Sequence, residues 1–374
     1  MKKETQLFEA IAIMVGTIIG AGIFGIPYVI YQAGFLTGIL LMFIIAAAIC
    51  LIHLYIGEIA LSTEKIHQLT GYAEKYLGVK GKYAMFVSVF FGFYGALLAY
   101  VIGEGQALAA LFGGNSFWYS LGFFVVAAFL VYKGMNIVKK ADFFLSFLVL
   151  LIVFVIALVG APHLNWRNLQ EFNLLKILIP YGVIFFAMGG VSAVPQLREV
   201  LRGREKQIKK AIIIGTGMPL LVYLLFTFMV IGISGSMITE VATVGLGRIV
   251  GESMILFGNL FAVLAMTTSF LTLGLALKST YLFDFKLKPG LAWGLTVALP
   301  LIMFILGLHS FVRVIGLAGA LGGSIEGLLI LLIVYKLKNK RERQPEYQIS
   351  KNPILMGLLA LLFVGGIVYT LWHL

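Results

Sequence analysis

Gly16-Thr-Ile-Ile-Gly-Ala-Gly-Ile-Phe-Gly-Ile-Pro27 interrupts an apolar run that extends from about Leu7 to Tyr31. A run of that length crosses a hydrocarbon core of ~30 Å once as a helix. Gly16, Gly20, Gly22, Gly25 and Pro27 are the residues least suited to continuous helix. Backbone groups freed at that depth are costly unless they line a cavity or meet a ligand. The stretch therefore predicts a broken span that holds something polar, and with it a transporter.

The rest of the chain fits a membrane protein. It is 61% hydrophobic and 12% charged, with a mean hydropathy of +1.03, far from the composition of soluble domains. Its formal charge of +12 comes from Lys and Arg in short loops, with no continuous basic face, so nucleic acid is not expected as a partner. Cys50 is the single cysteine, which excludes an intramolecular disulfide and leaves packing as its role. Lys2 and Lys3 precede the first run, but no small-residue cleavage site follows it, so the run reads as a retained span rather than a signal peptide.

Apolar segments fall at about 7–31, 36–62, 83–112, 116–133, 141–160, 173–197, 209–234, 250–283, 290–308, 312–336 and 353–373, which predicts eleven crossings. With the N-terminus in the cytoplasm, 24 of the 28 Lys and Arg residues face inward and only Arg167, Lys176, Arg248 and Arg313 face outward. That bias supports both the span count and the orientation, with the C-terminus outside and the chain integral to the plasma membrane. The loop from Ser234 to Glu252 is Gly-rich and is expected to hold short helices capping the outer face. The charged stretch 336–351, with Pro345, reads as a solvated connector, and the chain reads as one transmembrane domain.

The sixth run repeats the anomaly of the first. Ala187-Met-Gly-Gly-Val-Ser-Ala-Val-Pro195 again places a Gly cluster inside a span and closes it with proline. Gly22-Ile-Phe-Gly-Ile-Pro27 and Gly190-Val-Ser-Ala-Val-Pro195 share the spacing of glycine and proline. Spans one and six run in opposite directions, and interrupted helices at matching positions of two inverted halves point to a midplane transport site. The halves are 7–160 and 173–336, with 353–373 as an extra span. Gly20-Ala-Gly22-Ile-Phe-Gly25 also matches the dinucleotide fingerprint, but no strand precedes it and it lies inside a span. The related physics does apply: exposed N–H groups at a helix N-terminus favour an anion, here a substrate carboxylate.

Four stretches resemble the amino-acid permeases of the amino acid–polyamine–organocation superfamily. They are Gly16–Pro27, Ala96-Leu-Leu-Ala-Tyr-Val-Ile-Gly103, Phe185–Pro195 and Thr268-Ser-Phe-Leu-Thr-Leu-Gly-Leu275. The likeness is greatest to the amino acid/auxin permeases and the bacterial hydroxy- and aromatic-amino-acid permeases. It implies an all-α fold of the LeuT type, a five-plus-five inverted repeat with discontinuous helices 1 and 6. It also implies a substrate amino acid whose carboxylate meets the N–H groups of Ala21, Gly22 and Ile23. The amino group would meet carbonyls near Ile18, Phe186 and Ala187, with Gly189 and Gly190 of the second break also among the substrate-binding residues. Tyr94 and Tyr100 on span three are expected to shape the pocket or to pack with their hydroxyls satisfied locally.

The same resemblance implies a sodium site between spans one and eight. Its ligands would be the carbonyls of Gly16, Ile19 and Ala265 and the hydroxyls of Thr268 and Ser269; the bland reading is back-bonding of Thr and Ser to their own helix. Some proton-coupled relatives use a lysine on span five instead, and 141–160 contains none. Glu104 in span three and Glu326 in span ten are the alternative proton carriers, since an acid at such depth needs a cavity or partner. Glu58, Arg198 and Glu199 read as interfacial or gate residues, and His53 as a packing residue. Beyond the coupling ion, no metal or cofactor is expected. The leading expectation is a symporter of neutral, aromatic or other large amino acids. The alternatives are a carrier of another amine or a nucleobase, and an amino-acid sensor. No ring-like filter marks a channel, and no catalytic constellation marks an enzyme.

Overall fold

The computed structural model describes residues 3–134, 151–283, 285–337 and 340–373. Much of the fifth run, with Lys139 and Lys140, lies outside the described residues. Everything described is helix or connection, with no strand among the described residues. This is the form that long apolar runs must take in lipid, where each backbone group has to be satisfied within its own segment.

The first run is two helices, α1 (Lys3–Ile18) and α2 (Gly22–Ala33), bent by 56° at the break. Gly34, at φ 90°, turns the chain tightly into α3 (Phe35–Leu61). A short helix α4 (Leu69–Leu77) leads into α5 (Val79–Phe112), followed by α6 (Ser116–Lys133) and the described part of the fifth run, α7 (151–160). The Asn115 side chain starts α6 by accepting the Phe117 N–H at 2.9 Å.

The sixth run is also divided, into α8 (Tyr181–Met188) and α9 (Val194–Val200). Pro195 sits in the first turn of α9, where its missing N–H costs nothing. Then come α10 (Ile208–Ser234), α11 (Ala242–Val250) in the expected outer loop, α12 (Glu252–Phe283) and α13 (Pro289–Ile305). The tenth run is α14 (Phe311–Leu317) and α15 (Ser324–Leu337), joined by a π-helical turn over Ala318–Gly323. The last helix, α16 (Pro353–Trp372), is the most exposed, with 17% of its apolar window buried.

Two packing relations position the site. α10 lies along α1 and also meets α2 and α3, so the first break is backed by span seven. α12 packs along α5. Between apolar helices in lipid, such contacts rest on close van der Waals fit rather than on expelled water.

Candidate functional site

At the first break, helix α1 stops at Ile18 and three residues run free before α2 begins at Gly22. The turn is held loosely: Ile19 N–H reaches the Val15 carbonyl at 2.8 Å, Ile23 N–H the Gly20 carbonyl at 3.3 Å and Phe24 N–H the Ala21 carbonyl at 3.1 Å. Ala21 and Gly22 N–H groups donate to no backbone acceptor among the described residues. They stand at the positive end of α2, as an anion site requires. Ile23, expected to share that role, spends its N–H inside the turn.

At the second break, α8 ends at Met188 and Gly189 and Gly190 lead into a single 3-10 turn before α9. Gly189 N–H closes back on the Phe186 carbonyl at 3.1 Å, so that carbonyl already has one partner. Gly189 is exposed, whereas Gly190 is buried.

The two breaks touch. A Cβ placed on Gly22 would lie 2.6 Å from both Cα and Cβ of Ala187, and one on Gly190 would lie 2.5 Å from Cγ1 of Ile18. Only glycine lets the backbones approach so closely. The sequence pattern thus located two halves of one place.

What joins them is Tyr223 of α10, which sequence reasoning missed. Its fully buried hydroxyl donates to the Ile18 carbonyl at 2.7 Å and lies 3.1 Å from the Ala187 carbonyl. Two carbonyls named for the substrate's amino group therefore converge on a single oxygen. Tyr100, the other expected aromatic, is buried and within electrostatic reach of this hydroxyl. The one available signal was chemical: a lone tyrosine in the aliphatic run Pro219–Phe226 must find a polar partner.

One turn pair away, Thr216 falls on the same face of α10, seven residues before Tyr223. It meets Nδ1 of the fully buried His53 at 3.0 Å. Nε2 of His53 has no partner among the described residues, and its Cε1 would lie 3.5 Å from a Cβ on Gly190. The reading of His53 as a satisfied packing residue is half right, since one nitrogen remains open beside the second break.

Other expectations separate from this centre. The Tyr94 hydroxyl bonds Tyr281 at 2.8 Å and the Leu295 carbonyl at 2.8 Å, which ties α5 to α12 and α13 and leaves it no donor for a substrate. Thr268 turns its hydroxyl onto the Leu264 and Ala265 carbonyls of its own helix, both at 3.1 Å, the back-bond that apolar surroundings favour. No extended interface joins α1 to α12 among the described residues. The back-bond uses the Thr268 hydrogen and leaves the oxygen lone pairs that a cation would meet, so Gly16, Ile19, Ala265, Thr268 and Ser269 stand as a proposed sodium site.

The two acids differ. Glu104 is fully buried; its Oε1 accepts from Thr267 of α12 at 2.7 Å, and its Oε2 has no partner among the described residues. Glu326 is half-buried, with Oε1 enclosed and similarly unpartnered.

The connector corrects another expectation. Residues 340–352, half-buried to exposed, are strapped across the Leu61 end of α3. Glu58, fully buried rather than interfacial, pairs with Arg341 at 2.5 Å and accepts the Ile349 N–H at 2.9 Å. The Tyr347 hydroxyl reaches the Leu54 carbonyl at 2.8 Å and fills the notch over Gly57, where a Cβ would lie 2.0 Å from it. Burial, with the Glu58 carboxylate beside it, pushes the Tyr347 phenol up. Glu342 pairs with Lys75 and accepts the Glu64 N–H at 2.8 Å; these two contacts hold its carboxyl below the usual range. Arg198 of α9 binds the Ala60 and Thr63 carbonyls, each at 2.6 Å, fixing the second broken span to the same end of α3.

Two discontinuous helices in contact inside an apolar bundle, the first with unpaired N–H groups at Ala21 and Gly22, define a membrane transporter of the LeuT-type fold. The chain belongs to the tryptophan/tyrosine permease family, whose model matches residues 3–373. Glutamine transporter 2 of Aliivibrio fischeri is 24% identical to it over 95% of each chain. Tyrosine-specific transport system 1 of Haemophilus influenzae is 26% identical over 93% of this chain and 92% of its own. Among solved structures, Mhp1, a nucleobase-cation-symport-1 family transporter in a closed conformation, matches with a TM-score of 0.66. That match covers 98% of this chain and 90% of Mhp1 at 13% identity, a likeness of fold. The family carries solutes across the membrane and is not one of enzymes.

Proposed function

We propose that the protein is a secondary symporter that moves neutral amino acids, aromatic ones among them, by alternating access. The observation that carries this reading is the meeting of the two breaks. Free N–H groups at Ala21 and Gly22 begin α2, and the Ile18 and Ala187 carbonyls end α1 and α8 around one point. A zwitterion offers a carboxylate to the first pair and an ammonium to the second, each at the helix end of opposite sign. The relatives named for tyrosine and glutamine support neutral substrates.

A proton is the coupling ion in this reading, carried by Glu104. A buried acid with one bare oxygen is stable in lipid only when neutral or reached by water, so access to one side of the membrane sets its protonation. The symporter sits in the plasma membrane with its N-terminus inside and C-terminus outside, as the distribution of Lys and Arg supports. The inverted repeats are 7–160 and 173–336, with 353–373 added.

The test is uptake of labelled L-tyrosine, L-tryptophan and L-glutamine by purified protein in liposomes under imposed gradients. Accumulation that follows an inward proton gradient supports the reading. Accumulation that follows sodium and ignores pH replaces Glu104 as the coupling site. Tight binding without flux makes the protein a sensor.

A further inference from the structure

We propose that the Tyr223 hydroxyl is a placeholder for the substrate's ammonium, holding the two breaks together when no substrate is bound; this rests on the amino-acid transport reading above. Two features carry it. The first is position: one fully buried oxygen lies 2.7 Å from the Ile18 carbonyl and 3.1 Å from the Ala187 carbonyl. These carbonyls end α1 and α8, where helix dipoles leave partial negative charge and favour a cation.

The second is stoichiometry. A phenol has one hydrogen to give, whereas each carbonyl has two lone pairs. The two acceptors share a single donor and remain under-satisfied. An ammonium brings three donors and a positive charge to the same point, so it outbids the phenol there. Tyr223 is thus a positioning residue, a competitor that gives the empty carrier's two carbonyls one shared donor and yields to substrate.

Removing the hydroxyl leaves the Ile18 and Ala187 carbonyls without a donor in the empty carrier and changes nothing that the ammonium needs. Tyr223→Phe should therefore bind amino acids more tightly, by about tenfold, the equivalent of one buried hydrogen bond. A substrate without its amino group gains nothing. Equilibrium binding is measured on purified wild type and Tyr223→Phe with L-tyrosine, L-tryptophan and L-glutamine, each beside its deaminated analogue.

The expected result is a selective gain for the amino acids. A loss of affinity for them, or an equal shift for the analogues, overturns the proposal and leaves the transport reading standing. Wild-type protein that binds none of the three overturns both. Because Tyr223→Phe is able to compromise folding, a second probe keeps the side chain: 3-fluorotyrosine placed at position 223. Its fluorine resonance should move on adding the amino acid that binds and stay put with the deaminated analogue. A resonance indifferent to the amino acid overturns the proposal.

Discussion

Gly22→Val tests whether the contact between the breaks is part of the transport cycle. The Cβ alone would stand 2.6 Å from Cα and Cβ of Ala187 and 3.3 Å from its nitrogen. Ordinary carbon contacts lie at about 3.5–4.0 Å, so the overlap is about 1 Å. Part of it falls on backbone, which no rotamer change relieves. Valine adds two methyl groups and a stiff χ1 on top of that overlap. Overpacking of this kind costs about 1–3 kcal/mol. Since the strain exists only when the breaks touch, it acts on the conformational equilibrium, displacing it about 5- to 150-fold from the closed arrangement. Gly22→Ala, which adds the Cβ only, should sit between wild type and valine. The assay is initial-rate uptake by folded protein in liposomes, with monodispersity and helicity checked first. Valine protein that is folded and transports at the wild-type rate refutes the reasoning.

Three further outcomes follow from the geometry. Glu104→Gln keeps an acceptor for the Thr267 hydroxyl, bonded at 2.7 Å, but cannot exchange a proton. It should lose accumulation driven by a pH gradient while retaining substrate exchange, and intact pH-driven accumulation would remove Glu104 from coupling. Arg341→Ala leaves the buried Glu58 with Lys351 at 3.9 Å and the Ile349 N–H. The loss should be about 1.5–3 kcal/mol in thermal or denaturant unfolding, largely recovered by adding Glu58→Gln; additive single effects would show that the pair is not coupled. Glu342 has a lowered folded-state pKa, because Lys75 and the Glu64 N–H favour its charged form. Its contribution to the strap is therefore present above the ordinary glutamate value of about 4.3 and is lost as pH falls through the lowered value. Hydrogen exchange at the Glu342 and Arg343 amides, both bonded to the Ser62 carbonyl, should stay protected from neutrality to pH ~5 and open only in stronger acid. Opening near pH 6 would contradict this.

Much of the architecture was legible because lipid enforces it. A Gly cluster closed by Pro27 or Pro195 cannot continue a helix at depth, so both breaks could be placed within a few residues. The junction between them was less accessible. Which residue of span seven reaches the breaks depends on how α10 lies against α1, and a single chain shows no such register. Tyr94 was assigned by depth along α5, but the direction it faces, toward Tyr281, is a packing outcome. Thr268 shows local chemistry that a motif does not reveal, since its hydroxyl hydrogen goes to carbonyls of its own helix. The connector misled through composition: Arg341 and Lys351 look solvated in sequence, and their buried partner Glu58 is 283 residues from Arg341.

The gated backbone junction at Gly22, Ala187 and Tyr223 is tested most directly by counterflow. Liposomes carrying the purified protein are loaded with unlabelled L-tyrosine, L-tryptophan or L-glutamine and diluted into a trace of the labelled form, with no ion gradient. Alternating access through one site predicts transient accumulation of label above the outside concentration, driven only by exit of the unlabelled amino acid. Label that merely equilibrates at the same rate in loaded and empty vesicles, or that binds and never crosses, contradicts the account.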